Sequence, residues 1–370
     1  MIRQSRGEQT MLRDDLKTVR GILAKKREVS ANLLETAAWC HPGRWYVEGP
    51  YARHKDVELP EGLRDSIRGI RTRRVSRELV ERAAPPWLVT VPDHDSPATP
   101  QSNCSIAYLS SGGNWKLFDF ENQVIWTRLR HVGNLERDKA NHERYATYFN
   151  IPAWHTVELD DGIWRSETYL ADANLVHCDE KVRADSLNVL FQQYAVFARR
   201  EAAPANPALT RAAIQTITQS APQSIPARAA QRYAADMERL GAKVGLLPAH
   251  GDLSGQNIFV CGGQPWIIDW DTAGQDQPMF YDPLYLILRE AELGRPDLLR
   301  VFLDGKFDQE IDRMFALCGL PPRSCDNLIL LMHSYVVHFH AIRTAERRDA
   351  TRHNIESLWN RLQPFCAGYV

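Results

Sequence analysis

Two aspartates and an asparagine frame a pair of short apolar runs in residues 250–271, and their spacing restricts the fold more than any other feature of the chain. Asn257 follows Asp252 by five residues, and Asp269 follows Asp252 by seventeen. The runs NIFV and PWII between them are joined by Cys-Gly-Gly-Gln, which predicts a β-hairpin. Such a hairpin returns Asp269 to the neighbourhood of the other two side chains.

These three side chains supply what the transfer of a phosphoryl group to a hydroxyl requires. A carboxylate at Asp252 can orient the acceptor hydroxyl and accept its proton. Carboxylate and amide oxygens are the hard donors that Mg²⁺ prefers. The sequence therefore predicts Asp252 as the catalytic residue, and it predicts a metal site made of Asn257, Asp269 and, through water, Asp271.

The segment reads H-G-D-L-S-G-Q-N and then I-I-D-W-D. In this form it resembles the signature of the aminoglycoside phosphotransferase and choline kinase family, H-G-D-x-x-x-x-N followed by I-D-W-[DE]. Protein kinases use the same parts in a catalytic loop and a metal-binding loop. The resemblance implies an α+β, bilobal, protein-kinase-like fold with ATP and Mg²⁺. It also implies that His250 braces the loop through hydrogen bonds, and that Asp282 caps a helix or holds the catalytic loop.

The order of the remaining patterns agrees with this fold. Between 103 and about 175, five short alternating or apolar runs predict strands: CSIAYLS, WKLFDF, QVIWTRL, WHTVEL and IWRSETYL. A helical stretch at 134–149 falls between the third and the fourth. Beyond 180 the chain is predicted to be mainly helical, with 201–224 as a loose connection between helices.

We therefore divide the chain into an N-terminal extension of mixed and helical character (1–100), a small antiparallel β-sheet lobe with one helix (101–175), and a helical large lobe with the catalytic and metal loops (176–370). In the extension, a helix-like stretch near 63–83 carries seven arginines. Their charge wraps around the helix, so the stretch is either a solvated surface helix or a docking patch for an acidic or phosphate-rich partner.

The phosphate end of the nucleotide is expected near the first strands of the small lobe. The turn S-S-G-G-N, with Ser111, Gly112 and Gly113, fits a phosphate-covering loop and a plain hairpin turn equally well. Where the family carries a lysine on its third strand, this chain has Arg128. The best candidate for the ion-pair partner of that residue is Glu143, on the following helix.

Three further positions bear on nucleotide binding. Lys116, on the preceding strand, is the alternative cation for the phosphates. Trp126 shares a strand face with Arg128, where it would stack on the base or narrow its pocket. The resemblance implies that backbone groups near Glu167 and Tyr169 meet the adenine edge.

Composition excludes several other classes of protein. A net charge of −1 argues against a dedicated nucleic-acid binder. No apolar stretch reaches the roughly 18 residues of a membrane span, and the N-terminus lacks the apolar core of a signal peptide. Seven scattered cysteines without a C-x-x-C pair indicate neither a disulfide framework nor a zinc site. A reducing cytoplasm is the predicted setting.

Three functions remain, and the least favoured is a protein kinase that acts on Ser or Thr, because the chain has no recognisable H-R-D, D-F-G or A-P-E element. The first is an ATP- and Mg²⁺-dependent phosphotransferase, with GTP as the alternative nucleotide, that acts on a hydroxyl of a sugar, an amino alcohol or an aminoglycoside-like molecule. The second is a catalytically weak, kinase-like regulatory protein that binds nucleotide, or a protein partner through residues 1–100. The arginine in place of lysine and Trp126 favour the second function. The three oxygen donors favour the first, because a scaffold has no need of all of them.

Overall fold

The computed structural model describes the following residues: 2–58, 86–92, 103–110, 113–130, 133, 135–159, 162–220, 243–270, 273–319, 335 and 338. The chain forms two compact units. The first comprises Met1–Leu135 and Pro152–Asp172, and the second comprises Glu136–Ile151 and Ala173–Val370. The arginine-rich stretch predicted at 63–83 lies outside the described residues.

The first unit is built on one antiparallel sheet of eight strands in the order β3-β1-β2-β4-β5-β6-β8-β7. The strands are β1 Gly43–Glu48, β2 Tyr51–His54, β3 Trp87–Val91, β4 Ile106–Leu109, β5 Trp115–Asp119, β6 Val124–Arg128, β7 Trp154–Leu159 and β8 Gly162–Thr168. Strands β4 to β8 confirm the five that the sequence predicts. The three strands of the predicted N-terminal extension lengthen the same sheet.

A long helix, α1 (Ile2–Glu35), packs on one face of this sheet, which we call the covered face. Because side chains alternate along a strand, every second residue of β5, β6 and β8 lies on this face. Trp115 and Trp164 are buried there in one cluster with Val29 and Leu33 of α1. The indole of Trp115 also donates to Thr36 Oγ1 at 3.1 Å. Residues before the predicted small lobe thus complete its core.

The second unit is mainly helical, as predicted. Its helices are α2 Leu135–Ala146, which begins at the last residue of the first unit, α3 Glu180–Glu201, α4 Pro207–Ser220, α5 Tyr281–Glu292, α6 Asp297–Leu303 and α7 Asp308–Leu317. Two small antiparallel pairs accompany them, β9 (Leu246–Ala249) with β12 (Gln275–Pro278), and β10 (Ile258–Cys261) with β11 (Gln264–Ile267). The α+β prediction is confirmed.

The expectation of a loose connection at 201–224 is wrong for most of its length, because α4 occupies Pro207–Ser220. Pro207 stands at the first helical position, where its missing N–H costs nothing. Alanines within the segment favour the helix, and Ala213 is buried in the core of the unit. Within the described part of the chain, no helix has both the length and the apolar character that crossing a bilayer requires.

Candidate active site

The predicted hairpin is formed by β10 and β11, and it brings Asn257 beside Asp269. Ile258 pairs with Ile267, and the ladder continues outward with Ile268 N–H donating to Asn257 O at 3.0 Å. Neighbouring backbones in an antiparallel pair lie about 5 Å apart. Asp269 is the next residue, and its φ of +64° turns the chain sharply at the end of the strand. Aspartate is one of the few residues other than glycine that tolerate this left-handed conformation.

The side chain of Asn257 is held in one orientation. Its Nδ2 donates to the backbone oxygen of Asp252 at 2.8 Å. Because a carbonyl oxygen only accepts, the amide nitrogen must face it, and Oδ1 is directed away from that carbonyl. The oxygen of Asn257 is therefore the atom of this side chain that could bind a cation.

His250 ties the loop of Asp252 to the loop of Asp269. Its Nδ1 accepts from Asp252 N–H at 3.2 Å, and its Nε2 lies 2.9 Å from Ile268 O. Since Ile268 O can only accept, the proton is on Nε2. The ring is buried and packs edge-on against Trp270 at 4.5 Å. Both ring nitrogens thus make hydrogen bonds to backbone groups, one in each loop. This confirms the bracing role predicted for His250.

Asp282, at the start of α5, holds the same loop from the other side. Its carboxylate accepts from His250 N–H at 2.7 Å, from Gly251 N–H at 3.1 Å and from the Tyr194 hydroxyl at 3.1 Å. Burial raises the pKa of Asp282, and the hydrogen bonds from the loop and from Tyr194 counteract part of that rise. The prediction that Asp282 holds the loop of His250 and Asp252 is confirmed.

We expect Asp282→Asn to lower the free energy of unfolding by about 2–4 kcal/mol, because the amide turns a donor toward buried donors and leaves at least one of them unpaired. Denaturant unfolding measures the loss. Asp297→Asn is the matched control, since that carboxylate is exposed on α6 and its replacement should change stability by less than about 0.5 kcal/mol. Equal stability of the two variants would contradict the role of Asp282.

Two more residues of α5 contact the loop, and neither contact was predicted from the sequence. Tyr285 donates its hydroxyl to Asp252 Oδ1 at 2.6 Å. Buried Glu290 accepts from Gly255 N–H at 3.1 Å and pairs with Arg295 Nε at 2.6 Å. A Cβ on Gly255 would lie 2.9 Å from both Glu290 Oε1 and Val176 Cγ1, so a larger residue there would displace these side chains.

The donor set fits Mg²⁺. The described residues contain no group of three or more His, Cys, Asp or Glu side chains able to hold a metal ion. Asn257 and Asp269 nevertheless present two hard oxygen atoms, and Mg²⁺ binds through one or two carboxylates when phosphates and water complete its octahedron. Asp271, the third predicted ligand, lies outside the described residues, and its role stays a prediction.

Helix α2 belongs to this unit because it packs on both loops. Tyr145 stacks on Trp270 at 4.3 Å, and its hydroxyl donates to Pro248 O at 2.8 Å. Asn141 Nδ2 donates to Ala273 O at 3.1 Å, beside Gly274, whose φ is +99°. Glu143, the predicted partner of Arg128, is an exposed residue of this helix.

In the first unit, Arg128 has a different partner from the one predicted. Its guanidinium lies 2.8 Å from Glu35 Oε1 and donates to Asn32 Oδ1 at 2.7 Å, and both residues belong to α1. Trp126 packs edge-on against Trp39 at 5.1 Å. The side chains of Trp126 and Arg128 therefore both lie on the covered face. Arg128 contacts α1 there, and Trp126 contacts the segment that follows α1. The sequence shows the strand but not which helix lies on it.

Lys116 lies on the opposite face. It pairs across the sheet with Thr127, which pairs with Arg165, so the three share a face that Trp126 and Arg128 do not. Arg165 is 3.6 Å from Glu167 in an ion pair on the same face. We call Lys116, Thr127, Arg165 and Glu167 the polar strip. Glu167, predicted near the adenine edge, belongs to it.

The other predicted nucleotide contacts are only partly described. Gly113 closes a tight turn between β4 and β5, with φ of +86° and its N–H bonded to Ser110 O at 3.1 Å. Ser111 and Gly112 lie outside the described residues. Tyr169 N–H donates to Gln123 O at 2.8 Å, so this backbone donor is already engaged. Burial raises the pKa of the Tyr169 hydroxyl.

Comparison with known proteins gives structural likenesses only. No family model and no curated protein matches the chain. The chain is similar in structure to kinases of small molecules. One is a glucosamine kinase in complex with glucosamine, ADP and inorganic phosphate, at 12% identity and a TM-score of 0.40, covering 70% of this chain and 82% of that one.

Another is a choline/ethanolamine kinase family protein from Mesorhizobium loti, at 13% identity and a TM-score of 0.45, covering 73% of this chain and 88% of that one. A third is an aminoglycoside phosphotransferase from Streptomyces rimosus, at 12% identity and a TM-score of 0.40, covering 63% and 92%. These are the kinds of protein that the H-G-D and D-W-D motifs resemble. At this level of similarity they carry no argument for an activity, which must come from the site.

Proposed function

We propose that the protein is a phosphotransferase that uses ATP and Mg²⁺ to phosphorylate a hydroxyl of a small molecule, such as a sugar, an amino alcohol or an aminoglycoside-like compound. The observation that carries the proposal is the hydrogen-bonded connection of the three oxygen donors. Asn257 bonds to the backbone of Asp252, Ile268 bonds to Asn257, and Asp269 follows Ile268. A structural turn has no need of this donor set.

In such a reaction, Asp252 would accept a hydrogen bond from the acceptor hydroxyl and direct its oxygen at the γ-phosphorus. The new P–O bond would form as the bond to the bridging oxygen of ADP breaks, and the hydroxyl proton would pass to Asp252. Asn257 and Asp269 would hold Mg²⁺, which neutralises charge on the phosphates. His250, Asp282 and Glu290 would keep the loop in place without touching the reacting atoms.

One observation favours the second function, a regulatory protein with weak or no catalysis. The residue that stands where the family has its phosphate-binding lysine is Arg128, and α1 engages it on the covered face. A protein partner that binds the first hundred residues would act on that same helix. The intact set of oxygen donors favours catalysis over this alternative.

A nucleotide titration tests the proposal first. A ligand at 100 times its Kd adds about 2.7 kcal/mol to the free energy of unfolding, so Mg²⁺-ATP should raise Tm, with GTP run in parallel. ADP release is then measured with panels of sugars, amino alcohols and aminoglycosides. Failure of every purine nucleotide to raise Tm would overturn the phosphotransferase and favour a regulatory protein that acts through a protein partner. Stabilisation by ATP without turnover on any hydroxyl acceptor would select the regulatory protein.

We assign the phosphate-binding cation to Lys116, because Arg128 already carries an ion pair and hydrogen bonds to α1. Lys116→Ala should weaken Mg²⁺-ATP binding about tenfold or more, the size expected for a lost hydrogen bond to a charged group. Arg128→Ala is the matched control on the neighbouring strand and should change the Kd by less than about threefold. Titration calorimetry measures both. If Arg128→Ala weakens binding and Lys116→Ala does not, Arg128 is the residue that contacts the phosphates.

A further inference from the structure

Three residues of helix α5 contact the catalytic loop. Two of them bind its backbone, and the third binds a side chain. Asp282 accepts from the backbone of His250 and Gly251, and Glu290 accepts from the backbone of Gly255. Tyr285 alone contacts a side chain, and that side chain is the carboxylate of Asp252, at 2.6 Å. A short bond from a hydroxyl to a carboxylate is of the strong, charge-assisted kind.

We propose, on the basis of the proposed function, that Tyr285 is a positioning residue for phosphoryl transfer. Its hydroxyl engages Oδ1 of Asp252, which restricts rotation of the carboxylate. Oδ2 is then the oxygen presented to the acceptor hydroxyl. The carboxylate is thereby oriented before substrate binds, and it directs the acceptor hydroxyl toward the γ-phosphorus from one side.

A purely structural role does not require this hydroxyl. The ring of Tyr285 is fully buried and packs beside Tyr281 and Tyr335, with centroids 6.0 and 6.2 Å away, and phenylalanine would keep these contacts. The backbone of the loop is already held by Asp282, Glu290 and the ring of His250. The loop backbone is therefore fixed without the Tyr285 hydroxyl. What this hydroxyl adds is a fixed orientation of the Asp252 carboxylate.

The test compares Tyr285→Phe with Tyr281→Phe, which removes a hydroxyl from the same cluster without a contact to Asp252. For Tyr285→Phe we expect kcat to fall about 10- to 100-fold while the Kd for Mg²⁺-ATP and Tm stay close to those of the wild type. Tyr281→Phe should keep kcat within about twofold. Steady-state ADP release, calorimetry and thermal unfolding give the three readouts.

A double-mutant cycle separates positioning from packing. In an Asp252→Asn background, Tyr285→Phe should lower kcat by less than about twofold more, because residues that act as a unit are not additive. Full turnover in Tyr285→Phe would overturn the inference alone, as would a parallel loss of Mg²⁺-ATP binding and stability. Absence of turnover in the wild-type protein would overturn the proposed function itself and the inference with it.

Discussion

Replacing Asp252 with asparagine is expected to lower kcat by about 10²- to 10⁴-fold, the usual contribution of a positioned acid or base, with nucleotide affinity within about twofold of the wild type. The backbone of residue 252 keeps its bonds to His250 and Asn257 in the variant, so the loop retains its shape. The amide oxygen can still accept from Tyr285. The amide nitrogen then stands where Oδ2 was, and it offers a donor in place of an acceptor for the proton.

ADP release and calorimetry on the same preparation separate the two effects. Asp276→Asn is the control, because it makes the same change at an exposed position in β12 of the same unit and should leave turnover unchanged. An Asp252→Asn protein that keeps most of its turnover would show that the carboxylate is not catalytic. Loss of nucleotide binding together with turnover would show that Asp252 acts through the structure of the loop.

Replacing Asp269 with asparagine is expected to abolish the Mg²⁺ dependence of nucleotide binding and to lower kcat by about 100-fold or more, since a bound metal supplies several kcal/mol of charge stabilisation. Asparagine tolerates the left-handed φ of +64° at least as well as aspartate. The substitution therefore removes the charge and keeps the turn. Asp269→Ala would add backbone strain to the same loss.

Calorimetric titrations of ATP with Mg²⁺ and with excess chelator measure this effect. The wild-type protein should bind more tightly with Mg²⁺, and the Asp269→Asn protein should bind equally under both conditions. Asp304→Asn serves as the charge-matched control, because Asp304 is an acidic residue just after α6. A variant that retains the full Mg²⁺ effect would remove Asp269 from the metal site.

The parts of the site that could be predicted are those joined by short stretches of chain. The hairpin places Asp269 beside Asn257 through a ladder of a few residues. The loop contacts of His250 and Asp282 were expected from the resemblance of the motif, since Asp282 lies 32 residues from His250. Strands β4 to β8 were also predictable, because alternation is a local pattern. Spacing alone limits the conformations of such segments, so motif and geometry agree there.

The contacts of Arg128 and Tyr285 were not predictable for a common physical reason. Arg128 meets Glu35, which is 93 residues away, only because α1 packs on the face to which β6 turns that side chain. Tyr285 meets Asp252 only because α5 lies beside the loop with that side of the helix inward. Side-chain periodicity gives the apolar face of an element but not the element it will meet.

The covered face of the sheet has a consequence for dissecting this protein. Trp164 stacks on Trp39 at 4.5 Å, and Trp115 hydrogen-bonds to Thr36, so indole rings from β5 and β8 are sheltered by residues that precede the predicted small lobe. A fragment that begins at residue 101 would present these rings to water and invite self-association. We therefore expect a truncation that removes the first hundred residues to be less soluble than the full chain.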